Sequence, residues 1–229
     1  MKFITPLIIL PYSTHEGPVN MALDEIFFSL ANERKTIFFR FYGWQTPCVS
    51  FGYFQKPEKI FSCRIPSVRR LTGGGVVYHE RDITFSLCGP MAPPFSNASG
   101  IYQFFSQVLK KAFSEFIPMG DIELTRNQAF RKKLYDCFES PVSGDILLKQ
   151  KKIYGGALRK KGGAFLFQGT IQEPSLEKAS RELMAHITEK LMSLFKNCTE
   201  AGFPHGIMQE AEQLARKRYL LDEWNIGKK

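Results

Sequence analysis

"RRLTGGGVVYHERDITFSL", residues 69–87, sets three consecutive glycines between a pair of arginines and an apolar run that contains a histidine. Glycine tolerates backbone angles closed to other residues and leaves its N–H groups uncovered. Two readings follow from those properties. Gly73, Gly74 and Gly75 make either a glycine-rich hairpin turn or a backbone cradle for an acidic or phosphorylated ligand, with Arg69 or Arg70 at hand for a charge-assisted bond. The flanking "SVRRL" and "VVYHERDITFSL" have the β-branched and aromatic content of strands. The stretch is no P-loop, since no G-K-[ST] follows, and no dinucleotide fingerprint opening a helix. Strands on both sides of one short turn point to an antiparallel neighbourhood and away from a doubly wound sheet.

The same pattern continues outward. Before the glycines, "TIFFRFY" and "CVSFGYF" read as strands around the turn-like "GWQTP"; after them, "DILLK", "KKIYGGALR" and "AFLFQGTIQ" do the same. Helical spacing marks residues 18–32, with Pro18 in the first turn, and residues 101–116, where Ile101, Phe105, Val108 and Ala112 share a face. The last third reads as a long helix from Ser175, a candidate N-cap, followed by a second helix over 206–220. Residues 126–144 read as irregular. The expected fold is α+β, a mixed and largely antiparallel sheet flanked by helices, in one domain over residues 1–229.

A net charge of +9 with pI near 9.3 favours an acidic partner. The basic residues are scattered in short groups, which suits a docking face or a lined site better than non-specific coating. Five cysteines without a C-x-x-C argue against a disulfide framework and a structural zinc site, and fit a reducing cytoplasm. The opening "MKFITPLIILPY" is too short and too broken by Pro6 for a signal peptide, and no run approaches the ~20 apolar residues of a membrane span.

Three further groups could carry chemistry. His79 ends the strand after the glycines, where a structural hydrogen-bonding role is the ordinary alternative. Lys152 stands three residues before Gly155-Gly156-Ala157, small residues past which its ammonium could reach a ligand. Cys137 lies in a loop; a nucleophilic thiolate there needs a neighbouring cation, and an inert cysteine is the alternative.

Together these stretches resemble the lipoate–protein ligase family, which includes cysteine-dependent octanoyltransferases and is related to biotin–protein ligases. The resemblance runs over nearly the whole chain, through "GPVNMALDE", "RFYGWQTPCVSFGYFQ", "RRLTGGGVVYH", "KKIYGGALR", "FQGTI" and "RYLLDEWNIG", in that order. It implies a biotin/lipoate-ligase-like domain that joins a lipoyl or octanoyl group to a lysine of lipoyl domains, those of 2-oxoacid dehydrogenases or the glycine cleavage H protein. It implies that Arg70 and Gly73, Gly74 and Gly75 hold the carboxyl end of the acyl group or its activated form, that His79 closes the pocket, and that Lys152 is the central catalytic lysine. Gly155 and Ala157 would line the reacting end, with the hydrocarbon tail in an apolar tunnel to which "FGYF" contributes. The resemblance makes the glycines a ligand cradle rather than a simple turn.

The family holds two chemistries. In the leading reading, suggested by the all-glycine "TGGGVVYH", lipoate and ATP with Mg form lipoyl-adenylate, which the acceptor lysine attacks. In the alternative, Cys137 takes octanoate from acyl carrier protein as a thioester, needs no cofactor, and passes it to the acceptor; "CFESPVSGDIL" is similar to that branch's cysteine loop. Gly144-Asp145 lacks the asparagine of the ligases' asparagine–aspartate pair, Gly156 stands where serine is common, and Gln168 stands where histidine is common. The expectation is a single catalytic domain without the C-terminal accessory domain of many bacterial ligases. A third reading is an inactive relative or a nucleic-acid-binding module, for which no recognised motif is present.

Overall fold

The structure is a computed structural model that describes residues 2–56, 65–125, 138 and 141–227. Its strands are β1 (Leu7–Ile9), β2 (Ser13–His15), β3 (Ile37–Trp44), β4 (Cys48–Phe51), β5 (Ser67–Arg69), β6 (Val77–His79), β7 (Ile83–Pro90), β8 (Ile122–Leu124), β9 (Ile146–Leu148), β10 (Lys151–Lys161), β11 (Ala164–Ile171) and β12 (Cys198–Glu200). The helices are α1 (Gly17–Arg34), α2 (Ala98–Phe113), α3 (Pro174–Lys178), α4 (Ser180–Leu194), α5 (Ile207–Leu214) and α6 (Asp222–Asn225).

Among the described residues, the large sheet runs β12-β1-β3-β7-β11-β10-β9-β8, with β2 also paired to β3. The β1 and β2 pairings are parallel and those from β3 through β8 are antiparallel, so the expected mixed, largely antiparallel α+β fold is the one observed. A small second sheet, β5-β4-β6, carries the segments on either side of the three glycines.

Alternation along the central strands builds two cores. Ile37, Phe39 and Phe41 of β3, Phe85 and Leu87 of β7, and Phe165 and Phe167 of β11 face α2 and α4. The opposite face packs under α1 and α5 through Phe38, Cys88 and Leu166. That second face changes character along its length. Toward the β3 C-terminus it carries Arg40, Thr84, Ser86, Gln168 and Thr170, all buried. Buried polar groups need partners, so this end of the sheet is where a polar site can form.

Two local expectations are corrected. "VVYHERDITFSL" is not one strand: β6 lies in the small sheet and β7 in the large one. Between them the chain turns at residues 80–82, where Asp82 Oδ1 accepts the Glu80 N–H at 3.2 Å. The helix expected from Ser175 is two helices, α3 and α4. Its cap is Glu173, whose carboxylate accepts both the N–H and the hydroxyl of Ser175. The second terminal helix is α5, continued by a π-helical turn over Ala215–Tyr219. Most of residues 126–144, including Cys137, lie outside the described residues. Among the described residues, no helix is long and apolar enough to cross a membrane.

Candidate active site

The two arginines before the glycines have separate tasks. Arg69 is fully buried, and its guanidinium donates to the carbonyls of Tyr53, Gln55 and Asn225 at 2.8 Å, while its Nε donates to the Trp224 carbonyl at 2.9 Å. It ties the small sheet to α6 and is a structural clamp. Arg70 points to the site instead. Its guanidinium donates to the Gly73 and Gly75 carbonyls at 3.0 and 2.9 Å and to Ser50 Oγ at 2.7 Å.

The glycine loop is therefore wrapped on a guanidinium and closed against two neighbours. A Cβ on Gly52 would collide with the Gly74 carbonyl, and Gly74 sits at φ +89°, the left-handed region that favours glycine. On the other side, a Cβ at Gly74 would lie 3.6 Å from the Ala157 Cβ. The loop and the small residues of β10 thus face each other.

Lys152 lies beside Gly155. Its side chain is 1% exposed and its Nζ pairs with Asp145 Oδ2 at 2.7 Å. A Cβ on Gly155 would meet Lys152 Cε at 2.6 Å and Nζ at 2.8 Å, so a larger residue there would press on the end of the lysine. Burial pushes the Asp145 carboxyl above the usual carboxylate range, against the pull of the Lys152 ammonium and of the Val142 N–H, which donates to Oδ2 at 2.7 Å. Gly156 is also explained. A Cβ there would strike the Phe167 ring, which stacks on Phe105 with centroids 4.6 Å apart. The serine common at this position has no room.

Gln168, where the resembled family commonly has a histidine, bridges two elements through its amide. Its Nε2 donates to Asp24 Oδ2 at 2.6 Å, and its Oε1 accepts from Thr72 Oγ1 at 2.6 Å. Asp24 is itself the centre of a buried network, accepting from Arg40 Nε and Nη2 at 3.0 and 2.9 Å, from Ser86 at 2.6 Å and from Tyr42 at 3.2 Å. The residue before the glycines is thereby fastened to α1 through an amide that carries no titratable proton.

His79 completes the enclosure. Its Nε2 is 2.6 Å from Ser50 Oγ and its Nδ1 2.7 Å from Asp82 Oδ2; its ring stacks on Trp44 at 3.8 Å and 17°. Burial pulls its pKa below the ordinary histidine value, outweighing the opposing effect of Asp82. Arg70, His79, Gly155 and Ala157 line one cavity together with Ser50, Gln168 and Phe138. Its volume is about 30 Å³, about one water's share of space. At that volume, among the described residues, this cavity does not by itself hold an acyl tail. Residues 51–54 are not among those that line this cavity: Phe51 is buried with Val49 and Val76, and Phe54 is 85% exposed.

The model of the lipoyl protein ligase A/B catalytic domain family matches residues 16–197, a span that includes every element of this cavity. The chain belongs to that family. Among relatives within it, the octanoyltransferase LipM of Clostridioides difficile is 28% identical over 96% of this chain and 79% of its own length. LipM of Halalkalibacterium halodurans is 28% identical over 91% and 94%. Among solved structures, protein Ta0514 of T. acidophilum with bound lipoic acid superposes with a TM-score of 0.76 at 19% identity, covering 99% of this chain and all 100% of the other. A lipoate-protein ligase A bound with ATP gives 0.72 at 21%, covering 98% and 99%. These two structures share the fold.

Ser50, Asp82, Thr72 and Asp24 were not read as site residues from the sequence. Asp24 carried a usable signal: with Asn20 it forms an i, i+4 polar pair on the buried side of α1, and Arg40 interrupts an otherwise apolar β3. Two buried charges of opposite sign on neighbouring elements call for each other.

Proposed function

We propose that this protein transfers an octanoyl group from acyl carrier protein to a lysine of lipoyl domains, with Cys137 as the nucleophile and Lys152 as its cationic partner. The observation that carries this reading is the near-full-length similarity to proteins named octanoyltransferase, which favours the cysteine-dependent alternative over the ATP-dependent ligase that led the sequence reading. The buried Lys152 ammonium supports it as a cation held in place beside Gly155, of the kind that could stabilise a thiolate or a developing oxyanion. Phe138, which follows Cys137 in the sequence, lines the cavity with its ring 5.4 Å from Lys152 Nζ.

In the first step the Cys137 thiolate attacks the carrier thioester, a new C–S bond forms, and the carrier thiol leaves with the electron pair of the bond that breaks. In the second, the acceptor amine attacks the Cys137 thioester, the amide C–N bond forms, and the Cys137 thiolate is released. Arg70 and the glycine loop would hold the carbonyl end. The excess of positive charge suits acidic carrier and acceptor domains.

The test is single-turnover acylation of an apo lipoyl domain followed by intact mass, with octanoyl–acyl carrier protein without nucleotide in one reaction and lipoate with Mg-ATP in the other. Modification from the carrier, through an adduct lost in Cys137→Ala, is the expected result. Modification only with ATP, unaffected by Cys137→Ala, overturns it in favour of the ligase.

A further inference from the structure

Amide formation raises a question that Lys152 does not answer. The attacking nitrogen must shed a proton, and Lys152 is a cation already held by Asp145. Among the described residues lining the cavity, Arg70 is permanently protonated and the hydroxyls, amide and aromatic rings are no bases near neutral pH. His79 is the one side chain there that can take up a proton.

Its hydrogen bonds fix where that proton would go. Asp82 also accepts from Thr84 Oγ1 at 2.6 Å and from the Glu80 N–H, so it acts as an acceptor and His79 Nδ1 bears the hydrogen between them. Arg70 can only donate, so Ser50 Oγ accepts from it and directs its own hydrogen to His79 Nε2. A hydroxyl has two acceptor lone pairs, and Arg70 engages one of them. The other remains for a donor in the cavity that Ser50 lines. Serine, histidine and aspartate thus stand in the order of a hydrolase triad, at 2.6 and 2.7 Å, with the histidine stacked on Trp44.

We propose that Ser50, His79 and Asp82 form a proton relay that deprotonates the attacking lysine in the amide-forming step. As the C–N bond forms, the ammonium proton of the tetrahedral adduct passes to Ser50 Oγ while the Ser50 proton passes to His79 Nε2. The C–S bond then breaks, and its electron pair leaves with the Cys137 sulfur as thiolate. The imidazolium is balanced by Asp82 and returns its proton to water. Ser50 is the member that touches the substrate; His79 acts through it, and Asp82 positions His79. This rests on the acyl-transfer reading above.

The experiment separates the two steps by rapid quench, following release of carrier thiol from octanoyl–acyl carrier protein and then amide on the lipoyl domain by mass. Ser50→Ala and His79→Gln should slow amide formation by about 10²-fold, the usual worth of general-base catalysis, and by at least ~10-fold more than they slow loading. In the wild type the amide step should rise through an inflection below about pH 6.5, since the His79 pKa is lowered. The charges acting on His79 are Asp82 from the 80–82 turn and Arg70 from the loop after β5; Cys48 of β4 stands opposite it, and Glu177 of α3 lies within the field of Asp82. Because Asp82 raises the His79 pKa, Asp82→Asn should move the inflection to lower pH, and His79→Gln should remove it. Equal loss in both steps, or an inflection that survives His79→Gln, overturns the relay and makes the three residues a support for Arg70. A wild type that acylates nothing from either donor fails at the earlier reading, before any variant is compared, and takes the relay with it.

Discussion

Lys152 and Asp145 show how one residue's chemistry depends on its partner's burial. Each is 1% exposed, so neither charge is tolerable alone. Lys152→Ala should abolish transfer and also strand a buried carboxylate, at a cost of about 3–5 kcal/mol that shows as a lowered denaturation midpoint. Adding Asp145→Asn should recover much of the stability and none of the activity. If the single variant unfolds no more easily than the wild type, the pair is not the buried bridge described; if the double variant regains turnover, Lys152 is not needed for chemistry. The sequence singled out Lys152 through the small residues after it. It could not single out Asp145 as the partner, because the pairing depends on β9 lying against β10.

At the scale of elements, the two glycines of β10 have different reasons. Gly155 makes room for the end of Lys152, while Gly156 admits the Phe167 ring to the core. Gly156→Ser should therefore overpack the α2-facing core by about 1–3 kcal/mol, and shrinking the neighbour in Gly156→Ser/Phe167→Leu should return part of it. Thermal unfolding of the two variants checks this; an unchanged midpoint for Gly156→Ser would mean the ring yields freely. Helix α1, β3 and the strands around the glycines were legible because apolar spacing and turn residues are local signals. The division of residues 76–87 between two sheets was not. A strand's partner is chosen across the molecule, and β6 and β7 look alike to a window of neighbouring residues.

For the whole molecule, the site is a seam between the small sheet and the polar end of the large one, locked by Arg69 to the C-terminal α6 and by Gln168 and Asp24 to α1. Burial at this seam predicts the dependence of stability on acid. His79 and His15 both have pKa values lowered in the folded chain, first by desolvation. The unfolded chain therefore binds more protons at these sites once the pH falls below about 6.5, and their contribution is fully present above that value and lost as pH drops toward the folded values. Denaturant titrations at pH 7.5, 6.5 and 5.5 should show stability falling across the last interval, with a smaller fall in His79→Gln. A fall of the same size in that variant would assign the acid sensitivity elsewhere.

By itself the sequence determined the α+β class and the family, and through its resemblance to that family it named Arg70, Gly73 to Gly75, His79, Lys152, Gly155 and Ala157 as candidates, because each lies in a contiguous motif. Only the tertiary structure decided that Arg69 is a clamp while its neighbour Arg70 faces the cavity, that Gln168 bridges Thr72 to Asp24, and that Ser50, His79 and Asp82 stand in line. These relations join residues that are 3 to 156 positions apart in the chain. Hydrogen-bond direction, burial and the pKa of a buried group are properties of such meetings, and no single stretch contains them.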